Sequence, residues 1–336
     1  MKTVFGNTKI KRWLLPAALL GTVFICSAGA DWLAPYSPQA ESRTYAYHPP
    51  SRVHFRDGQG KLSLFRPFVY QTRLSFDSLR RRHYTEETGE KFYLKFFGRR
   101  FISVPEPAKI YLLGTDPRGR DVFSRILFGT RVSLAAALLG VALATTIGFL
   151  VGGIAGYFGG WTDHFLMRVS EFFIMIPGFY LLLALRSTLP AGLDSRQTFL
   201  LIVLILSMIG WGSLSRVVRG MTLSLKEREF VAAAKVLGRG PFGILTRHIL
   251  PHLVSYLGVA VSLAIPGYIL GESALSLLGL GIQDPDVSLG NLLQDCMSIP
   301  SIQLSPWVLA PGFWLAFISF CFYLLGDRIA QSGEIQ

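Results

Sequence analysis

The chain has 336 residues, 51% of them hydrophobic and only 16% charged, with a net charge of +12 and a mean hydropathy of +0.42. Soluble domains carry about 25% charged residues, so a wholly water-exposed protein is excluded and part of the chain must face lipid. Basic residues beside apolar spans contact headgroups or set topology, a better account of the charge than nucleic-acid binding. Cys26, Cys296 and Cys321 lie far apart without metal or disulfide spacing and read as apolar fillers.

In chain order, Lys2, Lys9, Lys11 and Arg12 precede an apolar run from Leu14 to Ala30. Ala28-Gly29-Ala30 fits an A-x-A cleavage site, so a cleaved signal peptide is one reading. An uncleaved first span with a basic cytoplasmic end is the other, favoured by the spans that follow. Cys26 does not read as a lipid-attachment site, because bulky Ile25 precedes it. From Asp31 to about Thr130 the chain is polar, aromatic and basic, with Pro49-Pro50 and a charge-dense stretch from Arg80 to Arg100. No apolar run there is long enough to cross a bilayer. Alternation in Leu62-Ser63-Leu64-Phe65 and in Phe92-Tyr93-Leu94-Lys95-Phe96-Phe97 predicts short strands. A folded extramembrane insertion of mixed or mostly β character is expected, since the aromatic content argues against a disordered linker.

Five more apolar runs follow, at about 132–158, 165–189, 198–218, 253–280 and 307–325. Each approaches or exceeds the roughly 20 residues that a helix needs to cross hydrocarbon, where a helix satisfies its own backbone. Six spans with both termini on one side are expected. Arg216, Arg219, Lys226, Arg228, Lys235, Arg239 and Arg247 make the segment between spans four and five the most basic short loop. The positive-inside rule places it in the cytoplasm with both termini, and 31–131 outside. Gly140, Gly148, Gly152, Gly153 and Gly156 in the second span suit close helix packing. Pro177-Gly178 and Pro266-Gly267 fall inside spans, as breaks lining a water-filled path or as packing kinks. Glu272 is the deepest acid, poised for a substrate amine or for a bond to a neighbouring helix. Glu171 and Arg186 are read as snorkelling near span ends.

The loop between spans four and five runs Glu229-Phe230-Val231-Ala232-Ala233-Ala234-Lys235-Val236-Leu237-Gly238, then Arg239-Gly240-Pro241, and closes with Arg247-His248-Ile249-Leu250-Pro251. The alanine run favours helix; Gly238, Gly240 and Pro241 break it. A short helix, a sharp turn and a second helix feeding the next span are predicted. Such a segment docks into a groove on a partner or is an ordinary interfacial loop, and its physics alone does not name a partner.

This segment resembles the cytoplasmic signature loop of binding-protein-dependent ABC importer permeases, written E-A-A, three residues, G, nine residues, I-x-L-P. Ala233, Ala234, Gly238, Leu250 and Pro251 fit; Ala232 stands where that motif has Glu, His248 where it has Ile, and Glu229 lies three residues earlier. Gly114-Thr115-Asp116-Pro117-Arg118-Gly119-Arg120-Asp121-Val122-Phe123-Ser124-Arg125 resembles the segment before the second span in the dipeptide, oligopeptide and nickel branch. Leu277-Leu278-Gly279-Leu280-Gly281-Ile282-Gln283 with Gly290-Asn291, and the ending Leu324-Leu325-Gly326-Asp327-Arg328, resemble the same branch, so the likeness covers about 110–330.

The resemblance implies an all-α membrane protein with six transmembrane helices of the type I ABC importer permease fold, carrying an α/β or mostly β extracytoplasmic insertion after the first helix. The expected divisions are 1–30, 31–130, a five-helix core 131–330 with a coupling loop at 219–251, and a tail 331–336. It further implies a bacterial inner-membrane location, a second permease subunit as heterodimer partner, two ATPase subunits and a solute-binding protein. Glu229, Ala232, Ala233, Ala234, Gly238, Leu250 and Pro251 would couple to the ATPases; Pro177, Gly178, Pro266, Gly267 and Glu272 would serve the path or its gating. Gly58-Gln59-Gly60-Lys61-Leu62 lacks phosphate-loop spacing. ATP and Mg are therefore expected in the partners, with no catalytic, cofactor or metal site in this chain. Peptides are the expected cargo, with nickel or another small solute as the alternative. A secondary transporter would show repeated halves with broken helices and ion-binding acids. An intramembrane hydrolase would need a nucleophile and a base at one depth; Ser262, Ser273 and Ser276 lack a matching histidine.

Overall fold

The computed structural model describes residues 2–56, 66–78, 81–188, 193–297 and 299–333. The strand expected at 62–65, the glycine string at 58–62 and the side chain of Arg186 lie outside what is described. In chain order the elements are α1 (Lys2–Ala28), α2 (Ala30–Leu33), β1 (Phe68–Phe76), β2 (Arg82–Tyr93), β3 (Lys95–Phe96) and β4 (Ile102–Ser103). There follow α3 (Val122–Phe158), α4 (Gly160–Met175), α5 (Gly178–Ser187), α6 (Ser195–Leu225), α7 (Glu229–Val236) and α8 (Pro241–Ile244). The last are α9 (Leu250–Leu277), α10 (Leu289–Leu293), α11 (Ile299–Leu304) and α12 (Ala310–Gly333).

Among the described residues, four helical stretches are long and apolar enough to cross a membrane: Val122–Phe158, Gln197–Leu225, Pro241–Leu277 and Pro306–Ser332, with a shorter apolar helix at Trp13–Ala28. The third apolar run of the sequence is not one helix. It breaks between α4 and α5 at Ile176, which is extended (φ −81°, ψ 121°), as the ring of a following proline dictates. Pro266 behaves differently. It lies inside α9, which continues through it, so of the two readings of Pro266-Gly267 the break in the helix is not the one seen.

The chain forms two compact units. One comprises residues 1–20, 134–281 and 318–336; the other comprises 21–133 and 282–317. The loop before the last helix thus folds with the insertion, although the sequence suggests a helical core running from 131 to 330.

In the first unit, small residues let backbones approach. A Cβ on Gly152 of α3 would lie 2.3 Å from the Ser215 carbonyl oxygen of α6, and one on Gly156 would lie 2.8 Å from that of Arg219. Gly148 faces the Trp211 carbonyl at 3.0 Å; the four-residue spacing puts all three glycines on one helix face. Gly153 meets only the end of Leu245, at 3.4 Å. Helix α4 is held to α6 by the Ser170–Ser215 hydroxyl pair at 2.9 Å and by a two-pronged Arg219–Asp163 ion pair. Glu171, expected at a span end, sits within α4 and pairs with Arg168 at 2.8 Å.

In the second unit, β1 and β2 form an antiparallel hairpin whose register shifts between Tyr70 and Gln71, and β3 and β4 form a second, shorter one. Val69, Ala108 and Ile110 are buried together, covered by Val53, Phe92, Leu94 and Ile102. A two-stranded hairpin is marginal alone, so this packing supports it. His48 is buried against Thr72 Oγ1 (2.9 Å), and burial pushes its imidazole down to about 4. It is a neutral core residue.

Candidate functional site

The loop from 226 to 251 is a rigid bracket. Helix α7 buries Val231 and Ala234 in a cluster with Val218 of α6, Ile244 of α8, and Ile249 and Leu253 around the start of α9, with Phe149 and Tyr157 of α3 packed against it. Two ring contacts fix it further: Phe230 stacks on His252 at 4.8 Å, and the Lys235 ammonium lies 5.6 Å from the Tyr157 ring centre. The helix stops where the sequence predicts. Gly238 is left-handed (φ +75°), its N–H donates to the Lys235 carbonyl (3.0 Å), and the Arg239 N–H donates to that of Ala234 (3.1 Å). This paired closure satisfies the last carbonyls and favours glycine at its turning residue. Pro241 opens α8, where no donor is needed.

Before Pro251 the backbone widens into a π turn, Leu245–Ile249, with the Leu250 N–H reaching the Leu245 carbonyl. Proline lacks an N–H and crowds the carbonyl four residues back; the widened turn accommodates both effects and lets the loop feed directly into α9. Outward, the bracket presents Ala232, Ala233 and Val236, then Leu237 (81% exposed) and Phe242 (68% exposed). Apolar residues grouped at an exposed tip mark an interaction surface. Glu229 starts the helix and is exposed, Leu250 is half-buried and Pro251 exposed. The seven residues expected in the loop therefore belong to one bracket.

A second constellation was not foreseen. Asp116-Pro117-Arg118-Gly119 is a turn: the Gly119 N–H donates to the Asp116 carbonyl (2.9 Å), and Asp116 Oδ1 accepts from the N–H groups of Arg118 (2.8 Å) and Arg120 (3.0 Å). Asp at the first position, Pro at the second and Gly at the fourth suit such a turn. Asp116 Oδ2 accepts from Arg120 Nε and Arg125 Nη1, both at 2.6 Å. The same two guanidinium groups reach Asp284 Oδ1, at 2.8 and 3.1 Å. Asp116, Arg120 and Arg125 are almost wholly buried. The family-like segment 114–125 thus meets Asp284, which directly follows the family-like stretch 277–283. Asp286 and Ser288 then anchor Asn291, and Ser133 Oγ accepts the Leu289 N–H (3.0 Å).

Residues 148–332 match the family described as binding-protein-dependent transport system inner membrane component. The chain belongs to that family. It is 39% identical over 231 residues to the oligopeptide transport system permease protein OppC of Haemophilus influenzae, covering 68% of this chain and 72% of that one. It is 34% identical over 228 residues to the dipeptide transport system permease protein DppC of Bacillus subtilis, covering 67% and 69%. Among solved structures it is similar to the inward-facing MetNI methionine ABC transporter, at 17% identity and a TM-score of 0.47, covering 62% of this chain and 95% of that chain.

Family members of this kind are membrane transport components, and the residues expected to serve the path differ in exposure in this one. Pro177 and Gly267 are exposed, Pro266 is half-buried, and Glu272 is fully buried. Glu272 accepts a 2.6 Å bond from Ser276 Oγ one turn along its own helix. A cavity of about 250 Å³ opens instead between α3, α6 and α9, lined by Thr145, Ser213, Tyr256 and Tyr268 with small apolar residues. None of the five expected path residues lines it.

Beside the ion cluster, burial pushes the Asp295 carboxyl up to about 7, and Asp116 and Asp284 add to the shift. Asp121 accepts from the Ser124 N–H (2.9 Å) and Oγ (2.6 Å), yet burial pushes it up to about 6. Both acids keep their proton in the folded chain at pH values where the unfolded chain has released it. Folding therefore takes up protons, and this contribution to stability falls as pH rises from about 4 to about 7. Asp295→Asn, which mimics the protonated acid, is expected to stabilise the chain at pH 8 by roughly 1–3 kcal/mol and to flatten that slope. Thermal unfolding of the purified chain across pH 4–8 checks this; an unchanged slope contradicts it.

Proposed function

We propose that this chain is one of two membrane-spanning subunits of an ATP-driven importer, forming the path for di- or oligopeptides delivered by a solute-binding protein. The observation that carries the reading is the bracket at 229–251. A short helix, locked by Gly238 and packed on the ends of α3, α6 and α9, presents an apolar tip to a partner. The partner in this reading is an ATPase subunit, which with its twin supplies the ATP and Mg sites; this chain holds no cofactor. ATP favours the closed ATPase pair, and a rigid bracket biases the spans accordingly, since a ligand shifts a conformational equilibrium only by its differential affinity. The peptide cargo is supported by the likeness to oligopeptide and dipeptide permeases.

In the proposed topology six spans run with both termini in the cytoplasm and the insertion outside. This reading needs four crossings between residues 122 and 281. Three of them are the long apolar stretches Val122–Phe158, Gln197–Leu225 and Pro241–Leu277. The fourth crossing falls to α4 and α5, of 16 and 10 residues, used together. The basic bracket is assigned to the cytoplasm by the positive-inside rule.

In the reconstituted complex, Leu237→Asp is expected to abolish the stimulation of ATP hydrolysis by loaded binding protein. Peptide uptake should fall by about tenfold or more, as when one interface residue worth over about 1.4 kcal/mol is lost. Unchanged coupling would remove the bracket from the mechanism. Mass spectrometry of the cargo on the binding protein tests the substrate; a metal ion without peptide overturns that part.

A further inference from the structure

The last turn of α1 presents Phe24 and Ile25 outward, as a helix in lipid does. Its end is then capped by polar groups. Arg131 donates from Nε to the Ser27 carbonyl (2.9 Å), and from Nη2 to the Ala28 carbonyl (3.0 Å) and the Asp31 carboxylate (2.8 Å). A part-exposed ion pair closing an apolar helix marks the level at which the chain leaves hydrocarbon. Trp32 is the next residue.

A distant loop is pinned at this level. The Phe101 N–H donates to the Trp32 carbonyl (2.7 Å), the Trp32 indole N–H to the Gly98 carbonyl (3.4 Å), and Arg100 Nη1 to the Ala34 carbonyl (2.8 Å). The Phe101 ring meets those of Trp32 and Phe97 edge-on, at 5.0 and 5.1 Å. Phe97, at the end of β3, is held left-handed (φ +57°). A bulky residue there is a real outlier, and such strain persists only where surroundings enforce it. The outcome is a phenyl ring 74% exposed, beside exposed Trp32 and Phe96 and the exposed cations Lys95 and Arg99. Aromatic rings with flanking cations sit well where one side is apolar and the other is a headgroup layer.

We propose that the β3–β4 loop is a membrane-resting arm: Phe97 and Trp32 enter the interfacial layer of the leaflet at the C-terminal end of α1, with Lys95 and Arg99 against lipid phosphates. The occupant of this exposed aromatic face is thus the bilayer itself, because the face is tied to the end of a lipid-facing helix. The inference stands whether or not the importer reading holds.

The test uses the full chain with Cys26, Cys296 and Cys321 replaced by alanine, in nanodiscs of phosphatidylethanolamine and phosphatidylglycerol. A nitroxide is attached at Phe97→Cys, with Ile25→Cys as a lipid reference and Gly89→Cys in the β2 strand as an aqueous reference. At position 97, collision with dissolved oxygen is expected to exceed that with a water-soluble nickel chelate severalfold, giving a depth between the two references. Phe96→Cys should read the same way, which guards against local rearrangement at 97. Aqueous behaviour at both sites, equal to that at 89, overturns the proposal. Shielding from both reagents also overturns it, since protein and not lipid would then cover the arm.

Discussion

Asp116→Ala is expected to destabilise the chain by about 3–5 kcal/mol, the cost of removing one partner from a buried ion pair. The carboxylate accepts from Arg120 and Arg125 at 2.6 Å each and also ties two backbone N–H groups into its turn. Without it, two nearly buried guanidinium groups share Asp284, whose side chain is 30% exposed. Asp284 also serves Arg118 at 3.1 Å, so its charge is already divided. Arg125 Nε is buried without a partner even in the intact chain, and further loss has no nearby relief. Asp116→Asn keeps an acceptor for the turn and loses the charge, so it should fall between the parent and alanine. Combining Asp116→Ala with Arg125→Met should cost less than the sum of the two, as groups in one network do not add. Denaturation midpoints in detergent and protease resistance of the 21–133 region report the effect. A change under about 1 kcal/mol, the usual range of exposed pairs, would show that the cluster is not a structural tie.

Gly152→Ala is the second large expected effect, and Gly153→Ala is its built-in control. The new methyl at 152 would sit 2.3 Å from the Ser215 carbonyl oxygen, 2.9 Å from Val218 Cβ and 3.0 Å from the Arg219 nitrogen. Two of these neighbours are backbone, so α3 and α6 must separate. In lipid no water-driven force holds helices together; packing and interhelical bonds do. Overfilling a packed contact costs about 1–3 kcal/mol, and here the loss extends along the stripe from Gly148 to Gly156. It reaches further because Ser215 and Arg219 also hold α4, and Val218 belongs to the cluster that seats the bracket. Gly152→Ala should therefore lower the yield of intact protein and weaken ATP-coupled uptake together. Gly153→Ala, which meets only a flexible leucine end, should leave both near the parent. Equal behaviour of the two would refute close approach along this face.

The bracket was legible because its geometry is written locally. Gly238, Pro241 and Pro251 act on their own turns, and each sits where the chain stops, restarts or widens. The two internal prolines were not separable by sequence. Ile176 yields to the extended form before Pro177, whereas Ile265 is buried and stays helical before Pro266. Packing decided between them, and packing is not local. The same holds for Asp116 and Asp284, which stand 168 positions apart (284 less 116) in the sequence. The motif around Asp116 could be noticed alone, but nothing in it says that it meets Asp284. For Glu272 the bond from Ser276, one turn along the same helix, is a local contact that the reading did not single out.

Translation puts these contacts in a fixed order. Residues 21–133 emerge before 134–281, and 282–317 emerge only after. At about 5–20 residues per second, the stretch between takes roughly 7–30 s to synthesise. Through that interval Arg120 and Arg125 have no Asp284, and Ser133 has no Leu289 to bind. The insertion waits as an unfinished body, and the arrival of the loop before α12 completes it. Until then Arg120 and Arg125 rest on Asp116. The salt-bridged joint at Asp284 is thus a late event of synthesis, closed only after residues 134–281 have been made.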